Sequence, residues 1–574
     1  MESTDGRASQ ARRVGFWLGI ALFLLVLLLP APESRIPAKR TAAATVWVAT
    51  WWVTEAIPIP VTSLLPLVLF PLLGASPMGK VASAYAEPPV FLFMGGFILA
   101  LGIERWGLHR RIALTVIRTI GIEPRRMVLG FMVATAVLSM WISNTATTLM
   151  MLPIAMAILA SMRDMGASDG VVQPLGVALM LGVAYSASIG GLATLIGTPP
   201  NLVLETQLRI VAERFQSAPP ELSMGRWMLV FVPLSLVFLL VAWRLLVRGL
   251  RSIGSEGGSS VRTVLDAAWK ELGPMTRPEG RMLAVFAVTA LLWIFRRDLP
   301  LGFVTIPGWD RYFAPKFLDD AVVAVLMAAL SFVLPSGSDA GPREPLMNWT
   351  TAVRLPWGIL LLFGGGFAIA RAFGDSGLSE WIGEVFGRLP TYSPLLLVLA
   401  TCTLLTLLTE LTSNVATANV MLPILGSTAI GAGIDPLLLM LPATISASCA
   451  FMLPVATPPN AIVFSSGRVA MRDMVWNGAV LNLVGIVLVT ATVYLLGVRV
   501  LEISPRGLPT WLEQGRPTNQ VDDSHAAMAP LGRLRRLDRD GFIASHAPNA
   551  SYARRRMTRN ATAGSTNRGG LARG

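Results

Sequence analysis

The sequence has few of the residues on which metal chemistry and covalent cross-linking depend. It contains only two cysteines, Cys402 and Cys449, and both lie in apolar stretches. Their spacing fits neither a disulfide framework nor a metal-binding motif. The three histidines, His109, His525 and His546, are scattered along the chain. We therefore expect no cofactor and no zinc or haem centre.

Charged residues are also scarce. They make up 14% of the chain, whereas 53% of the residues are hydrophobic. Soluble proteins carry about a quarter charged residues. A soluble globule of this composition would have too little polar surface to cover itself, so the sequence indicates a protein that is solvated by the lipid bilayer.

Apolar runs long enough to cross a bilayer, about 20 residues each, recur along the chain. Clear runs lie near 15–31, 127–140, 175–197, 227–247, 281–296, 319–334, 394–409, 436–455 and 476–500, and shorter or interrupted ones fill 42–74, 90–103 and 356–372. We predict about eleven transmembrane helices and two further segments that enter and leave on one side.

The first apolar run lacks a small-residue cleavage site, so we interpret it as a retained helix. Arg7, Arg12 and Arg13 precede it. Positive residues stay in the cytoplasm, so we expect a multi-pass protein of the inner (plasma) membrane with a cytoplasmic N-terminus.

The chain ends in a basic tail. Residues 503–574 hold twelve Arg and five Asp or Glu, so this segment contributes +7 to the formal net charge of +13. Few large apolar residues occur there, which predicts disorder. We expect contact with solvent or lipid headgroups and no nucleic-acid partner. Eleven spans place the tail outside, whereas its charge favours the cytoplasm, and the sequence leaves both alternatives open.

The sequence repeats itself at an offset of about 270 residues. The matching pairs are MGGF (94–97) with GGGF (364–367), SNTATTLMMLPI (143–154) with SNVATANVMLPI (413–424), and SASIGGLATLIGTPPN (186–201) with SASCAFMLPVATPPN (446–460). Agreement of this density at a nearly constant offset indicates two structural repeats.

The two repeats differ in the charge that follows their Gly-Gly-Phe segments. Residues 104–126 carry a net charge of +4 and residues 371–396 a net charge of −1. The first stretch is therefore predicted inside and the second outside, which predicts inverted topology with the substrate near the midplane. The predicted segments are 1–14 (N-terminus), 15–44 (first helix), 45–210 (repeat 1), 211–317 (linker), 318–500 (repeat 2 and last helix) and 501–574 (tail).

Both repeats carry polar groups where an apolar helix would break. Hydroxyl and amide oxygens, which Na⁺ prefers, come from Ser139, Ser143, Asn144, Thr409, Ser413 and Asn414. A single Ser or Thr most often bonds to its own helix, but a duplicated set favours function. The Thr-Pro-Pro-Asn segments predict a second pair of breaks, because proline stops a helix and frees backbone carbonyls.

Three further features bear on the site. The Gly-Gly-Phe segments are consistent with close helix packing, but their shortness favours a re-entrant hairpin in each repeat. Glu410 is a carboxylate within an apolar run, and it is either functional or a holder of local geometry. No Arg or Lys lies near the Ser-Asn or Thr-Pro-Pro motifs. A bound anion would therefore depend on bound Na⁺ for positive charge, which couples the two.

These motifs in combination resemble those of the divalent anion:sodium symporter family, the INDY-type di- and tricarboxylate and sulfate transporters. The resemblance extends to about residue 500. It implies an all-α polytopic membrane protein with two inverted-topology repeats, re-entrant hairpins and broken helices. It also implies a homodimer that works by an elevator mechanism, in which one region slides across the membrane.

The resemblance implies specific binding residues. The first sodium site would use Ser139, Ser143, Asn144 and Gly197, and the second would use Thr409, Ser413, Asn414 and Ala456. Substrate carboxylates would contact Ser143, Asn144, Thr145, Thr198, Ser413, Asn414, Thr457 and Pro458.

The function that follows is sodium-coupled symport of C4-dicarboxylates such as succinate, malate and fumarate into the cell. Val415 departs from the pattern, because the matching Thr145 has a hydroxyl, so citrate and sulfate stay open as substrates. A dicarboxylate exchanger is a further alternative, but Ser139 and Thr409 favour symport. An intramembrane enzyme is disfavoured, since no apolar span holds a histidine or a second acid beside Glu410. A receptor would leave the duplicated motifs unexplained.

Overall fold

The computed structural model describes residues 2–121, 123–164, 168–217, 221–250, 255–301, 304–313, 317–338, 344–387 and 393–513, without the side chains of 2–11, 255–261 and 385–387. These residues are almost entirely helical. The strands among them are Leu299–Pro300 (β1) and Thr305–Ile306 (β2), which pair antiparallel.

Eleven α-helices precede the first long linker. They are α1 (Glu2–Leu28), α2 (Ile36–Thr54), α3 (Ile59–Thr62), α4 (Leu65–Leu72), α5 (Met78–Ser83), α6 (Pro88–Arg105), α7 (Leu108–Ile120), α8 (Pro124–Ser139), α9 (Asn144–Asp164), α10 (Asp169–Gly191) and α11 (Pro199–Arg214). The connecting helices are α12 (Met224–Val247), α13 (Ser255–Leu272), α14 (Arg277–Ile294), α15 (Asp320–Val333) and α16 (Trp349–Ala352).

The second half has a similar order of helices. They are α17 (Trp357–Asp375), α18 (Leu378–Gly387), α19 (Pro394–Thr409), α20 (Asn414–Gly431), α21 (Pro436–Ala447), α22 (Pro458–Ser465), α23 (Met471–Thr492), α24 (Val498–Val500) and α25 (Thr510–Glu513). A π-helical turn, Val493–Gly497, joins α23 to α24.

Within the described residues, six helical segments are long and apolar enough to cross a bilayer. They are Met78–Arg105, Asn144–Asp164, Asp169–Gly191, Met224–Val247, Trp357–Asp375 and Met471–Val500. Four shorter apolar segments join them: Ile59–Leu72, Asp320–Val333, Pro394–Thr409 and Pro436–Ala447. The fold is that of an all-α multi-pass membrane protein, and the count of about eleven spans stays a prediction.

Helices α8 and α9 form a hairpin whose tip is the first Ser-Asn motif. Both helices pack on α10. The contacts that fix their directions are Gly182 with Met132 and Gly190 with Ala136 for α8, and Gly176 with Leu159 and Gly191 with Asn144 for α9. Helix α8 therefore runs parallel to α10 and α9 runs back, so the chain turns around between Ser139 and Asn144.

Helices α19 and α20 repeat this arrangement on α21. The last residues of α19 and α21 meet, because the Thr409 hydroxyl donates to the Ala447 carbonyl over 2.6 Å. Helix α20 starts beside them, and Gly426 in its middle faces Met440 in the middle of α21. The second Ser-Asn motif is therefore also the tip of a helical hairpin.

The Gly-Gly-Phe segments are not hairpins, so that prediction was wrong. They lie inside the continuous helices α6 and α17. A Cβ added to Gly95 would lie 2.6 Å from the carbonyl carbon of Ala324, and one added to Gly366 would lie 1.9 Å from the Asn419 amide oxygen. These glycines allow α6 to cross α15 closely and α17 to cross α20 closely.

Packed residues are found past the predicted tail boundary at residue 501. Leu501, Ile503 and Leu512 are buried. The Ser504 N–H donates to Asp435 Oδ2 over 2.8 Å, next to the start of α21. Residues 501–513 therefore pack on the helical part of the protein, and the prediction of a disordered tail over 514–574 lies outside the described residues.

Candidate binding site

Eight helix ends meet where the four sequence motifs come together. Helices α8, α10, α19 and α21 end there, and α9, α11, α20 and α22 begin there. The ends of helices leave backbone carbonyls unpaired, whereas their starts leave N–H groups unpaired and carry a positive partial charge. The same small region therefore offers oxygen ligands for a cation and N–H donors for an anion.

A cavity of about 800 Å³ lies beside these ends. Ten of the twelve predicted binding residues line it: Ser143, Asn144, Thr145, Gly197, Thr198, Ser413, Asn414, Ala456, Thr457 and Pro458. The other two, Ser139 and Thr409, are completely buried behind it. The structure thus brings together residues that lie more than 300 positions apart in the chain.

Oxygen atoms cluster behind the first Ser-Asn motif. Ser139 Oγ lies 2.6 Å from Asn144 Oδ1 and 2.7 Å from the Ala187 carbonyl oxygen. A hydroxyl has one hydrogen and cannot donate to both. A Cβ built on Gly191 would lie 3.0 Å from Asn144 Oδ1 and 3.1 Å from the Gly197 carbonyl oxygen, so both oxygens line the same small space beside Gly191. Such a concentration of hard oxygen atoms suits a small cation.

The second half builds the same cluster from matching residues. Thr409 Oγ1 lies 2.7 Å from Asn414 Oδ1 and 2.6 Å from the Ala447 carbonyl oxygen. The matched positions differ only in that Thr replaces Ser. Duplicate geometry of this kind indicates that the contact is a property of the motif and not of one local packing accident.

Two asparagines that sequence reasoning did not single out hold the loops before α11 and α22. Asn201 Nδ2 donates to the carbonyls of Gly191 and Thr194, over 3.3 and 2.8 Å. In the second half Asn460 Nδ2 donates over 3.1 and 3.0 Å to two carbonyls with the same spacing, those of Ala450 and Leu453. Their place at the end of each Thr-Pro-Pro-Asn motif was the available signal.

Glu410 accepts hydrogen bonds from the loop of the second half. Its carboxylate takes the N–H groups of Phe451, Met452 and Leu453 over 2.7 to 3.1 Å, and Asn482 Nδ2 over 2.7 Å. The side chain is buried. Glu410 therefore holds the local geometry of this loop, which is one of the two roles that the sequence left open.

Fixed charge is almost absent from the cavity. Of the described residues that line it, only Arg12 and Glu55 are charged. They form a 3.8 Å ion pair and are more than half exposed. Arg12 lies in the first half of α1 and Glu55 follows the end of α2, so the cavity extends from the motifs to the end of α2 that lies beside the first half of α1.

The residues that line this cavity belong to a segment of the chain that matches a known protein family. The sodium:sulfate symporter transmembrane region matches residues 10–501. The chain belongs to this symporter family. The sodium-dependent dicarboxylate transporters SdcS of Staphylococcus aureus strains MSSA476 and NCTC 8325 are each 40% identical to it over 493 residues, which cover 85% of this chain and 91% of theirs. As a member of this family, the protein is a membrane transporter and not an enzyme.

A solved structure has a similar fold at low sequence identity. It is that of Neisseria gonorrhoeae MtrF, described as illuminating a class of antimetabolite efflux pumps. The TM-score is 0.51 at 12% identity, and the alignment covers 83% of this chain and 98% of MtrF. At this identity the likeness concerns the fold of the symporter-family chain alone.

Proposed function

We propose that the protein carries small divalent anions, C4-dicarboxylates such as succinate, malate and fumarate, into the cell together with Na⁺. The observation that carries this proposal is the pair of matching oxygen clusters beside one cavity that has no fixed cation at its motifs. The names of the staphylococcal relatives, which specify sodium and dicarboxylate, point the same way.

Each oxygen cluster is suited to one Na⁺. In the first, Ser139, Ser143, Asn144 and Gly197 supply hydroxyl, amide and carbonyl oxygens. In the second, Thr409, Ser413, Asn414 and Ala456 supply the same kinds of atom. The C-terminal ends of α8 and α19 add the negative ends of their helix dipoles.

The anion lies between these two sites. Its carboxylates accept from the hydroxyls of Ser143, Thr145, Thr198, Ser413 and Thr457 and from the amide N–H groups of Asn144 and Asn414. They also contact the start of α22 at Pro458, which has no N–H to donate. The starts of α9, α11, α20 and α22 contribute positive partial charge. Because no described Arg or Lys lies beside these groups, bound Na⁺ supplies the missing positive charge, and anion binding requires sodium.

The two halves act as inverted repeats, and the protein works as a homodimer by an elevator movement. The charge difference between residues 104–126 and 371–396 supports the inversion. With the N-terminus in the cytoplasm, the cavity that reaches Arg12 and Glu55 opens inward. The described arrangement is then the one that releases substrate to the cell.

A second candidate is sodium-coupled transport of sulfate or citrate. Val415 supports this candidate, because it matches Thr145 in the repeat and lines the same cavity without a hydroxyl. A pocket with one hydroxyl fewer is less specific for an anion with two carboxylates. An exchanger is the remaining alternative, and the intact Ser139 and Thr409 clusters weigh against it.

The test is uptake of radiolabelled succinate into proteoliposomes under an inward Na⁺ gradient, compared with K⁺. We expect uptake only with Na⁺, competed by fumarate and malate and not by sulfate. Competition by sulfate or citrate would change the assigned substrate but leave the sodium-coupled mechanism in place. Exchange in preloaded vesicles without Na⁺ would overturn the sodium assignment.

A further inference from the structure

The buried carboxylate of Glu410 has no counterpart in the first half of the protein. The residue at the matching position, 270 places earlier, is Met140. Its side chain is apolar, and its backbone carbonyl accepts the Thr194 hydroxyl over 2.5 Å. The two halves therefore share their oxygen clusters but differ by one negative charge.

The difference follows from the length of the loop before the Thr-Pro-Pro-Asn motif. In the first half α10 continues to Gly191, and the N–H groups of Leu192 and Ala193 bond to carbonyls of its last turn. In the second half the loop is one residue shorter, and α21 already ends at Ala447. The N–H groups of residues 451–453 then need another acceptor, and Glu410 supplies it.

Every contact of the Glu410 carboxylate within the described residues is to a neutral N–H donor. Both oxygens accept, as those of an ionised carboxylate do. No Lys, Arg or His among those residues forms an ion pair with it. Its negative charge is thus held in a buried place by dipoles and is not cancelled by a cation.

Among the described residues, the hydrogen bonds of this carboxylate connect it to elements of the second half only, which holds the second proposed sodium site. Glu410 follows Thr409, whose hydroxyl belongs to the second oxygen cluster, and it holds the loop that leads to Ala456. Electrostatic attraction is strong in a buried environment, where water does not screen it. The electrostatic attraction to Glu410 is therefore stronger for a cation at the second site than for one at the first site.

We propose that Glu410 makes the sodium site of the second half the tighter of the two, so that this site fills first and empties last. The proposal rests on the proposed sodium-coupled function. In it Glu410 is a positioning residue, because it contacts the loop and not the ion.

The experiment measures the thermal unfolding midpoint of the purified full-length protein against NaCl, with choline chloride keeping ionic strength constant. Glu410→Gln keeps the size of the side chain and removes the charge, but it leaves one acceptor oxygen in place of two. We expect it to raise the NaCl concentration for half-maximal stabilisation about tenfold, which corresponds to about 1.4 kcal/mol of lost electrostatic attraction. The same shift is expected in a Ser139→Ala background and not in a Thr409→Ala background, where the second site is already lost.

Asn482→Ala separates charge from local structure. It removes one donor to the carboxylate and leaves the charge, so we expect sodium dependence equal to or tighter than that of the unaltered protein. Equal weakening in Glu410→Gln and Asn482→Ala would overturn the proposal and reduce Glu410 to a structural role, as would unchanged sodium dependence in Glu410→Gln. If Glu410→Gln does not fold, the NaCl concentrations for half-maximal stabilisation of Ser139→Ala and Thr409→Ala are compared. A larger rise in Thr409→Ala, together with unweakened sodium dependence in Asn482→Ala, would support the proposal, and a larger rise in Ser139→Ala would overturn it. Absence of any specific stabilisation of the unaltered protein by NaCl would instead refute the proposed function.

Discussion

At the scale of single residues, the oxygen clusters contain hydroxyls that behave differently from those around them. Thr135 and Thr148 donate to carbonyls four residues back in their own helices, over 2.7 and 2.8 Å. Ser139 instead contacts an amide across the hairpin tip and a carbonyl of another helix. No single residue's sequence context separates these cases. Duplication of the motif did for Ser139 and Thr409, whereas cavity-lining residues such as Gly197 were implied only by the resemblance to the symporter family.

Removal of the Ser139 hydroxyl should therefore weaken sodium binding. In Ser139→Ala we expect the Na⁺ concentration for half-maximal uptake to rise about 10- to 100-fold, the range for losing a contact with a charged partner. Thr135→Val is the matched control, one helical turn earlier and equally buried. It should leave sodium dependence near normal, and a similar loss in both variants would mean that the effect is one of helix packing.

The unequal pair Thr145 and Val415 should govern affinity for the anion. Thr145→Val removes the hydroxyl on one side of the cavity, so we expect the KM for the transported dicarboxylate to rise about tenfold or more. Val415→Thr adds the missing hydroxyl and should lower that KM. Neither change should alter sodium dependence greatly. Unchanged KM in both variants would remove the two side chains from the substrate site.

At the scale of elements, sequence reasoning located the breaks but misassigned the hairpins. A Gly-rich apolar stretch and a broken helix look alike in sequence, and only the contacts of α8 and α9 along α10 reveal which segment turns back. The role of Glu410 was hidden for the same reason, since its donors lie 41 to 72 residues away. Packing of residues 501–513 was missed because a few buried apolar side chains within a polar stretch leave little compositional signal.

The crossing of α6 and α15 gives a direct test of the close-packing role. In Gly95→Ala the new methyl group would meet backbone atoms of Ala324 at 2.6 to 2.7 Å, which cannot move aside cheaply. We expect a destabilisation of about 1–3 kcal/mol, seen as a lower unfolding midpoint in detergent. The neighbouring Gly96→Ala is the control, because its nearest contact would be Ile196 Cδ1 at 3.7 Å. Equal tolerance of both changes would contradict the close crossing.

At the scale of the whole molecule, the side on which the cavity opens defines the state of the transporter. Helix α2 places Arg35 and Glu55 at opposite ends, about 28 Å apart for 19 residues. Glu55 lines the cavity, whereas Arg35 pairs with Glu384 over 2.7 Å. The cavity therefore opens at the Glu55 end, and the proposed cytoplasmic N-terminus makes that end the inner one.

Labelling with a membrane-impermeant maleimide should reveal this asymmetry, because Cys402 and Cys449 are both buried and give a quiet background. Val455 lines the cavity and is 76% exposed, so Val455→Cys should react in inside-out vesicles and not in intact cells. Glu55→Cys should behave alike, and Glu384→Cys should react only in intact cells. Sodium with succinate should slow the reaction at position 455 and not at 384, since only the cavity is occupied. Reaction of Val455→Cys from the Glu384 side would show that the transporter rests open to the opposite side. If Glu384→Cys reacted only in inside-out vesicles and Glu55→Cys only in intact cells, the orientation of the whole chain would be opposite to the proposed one.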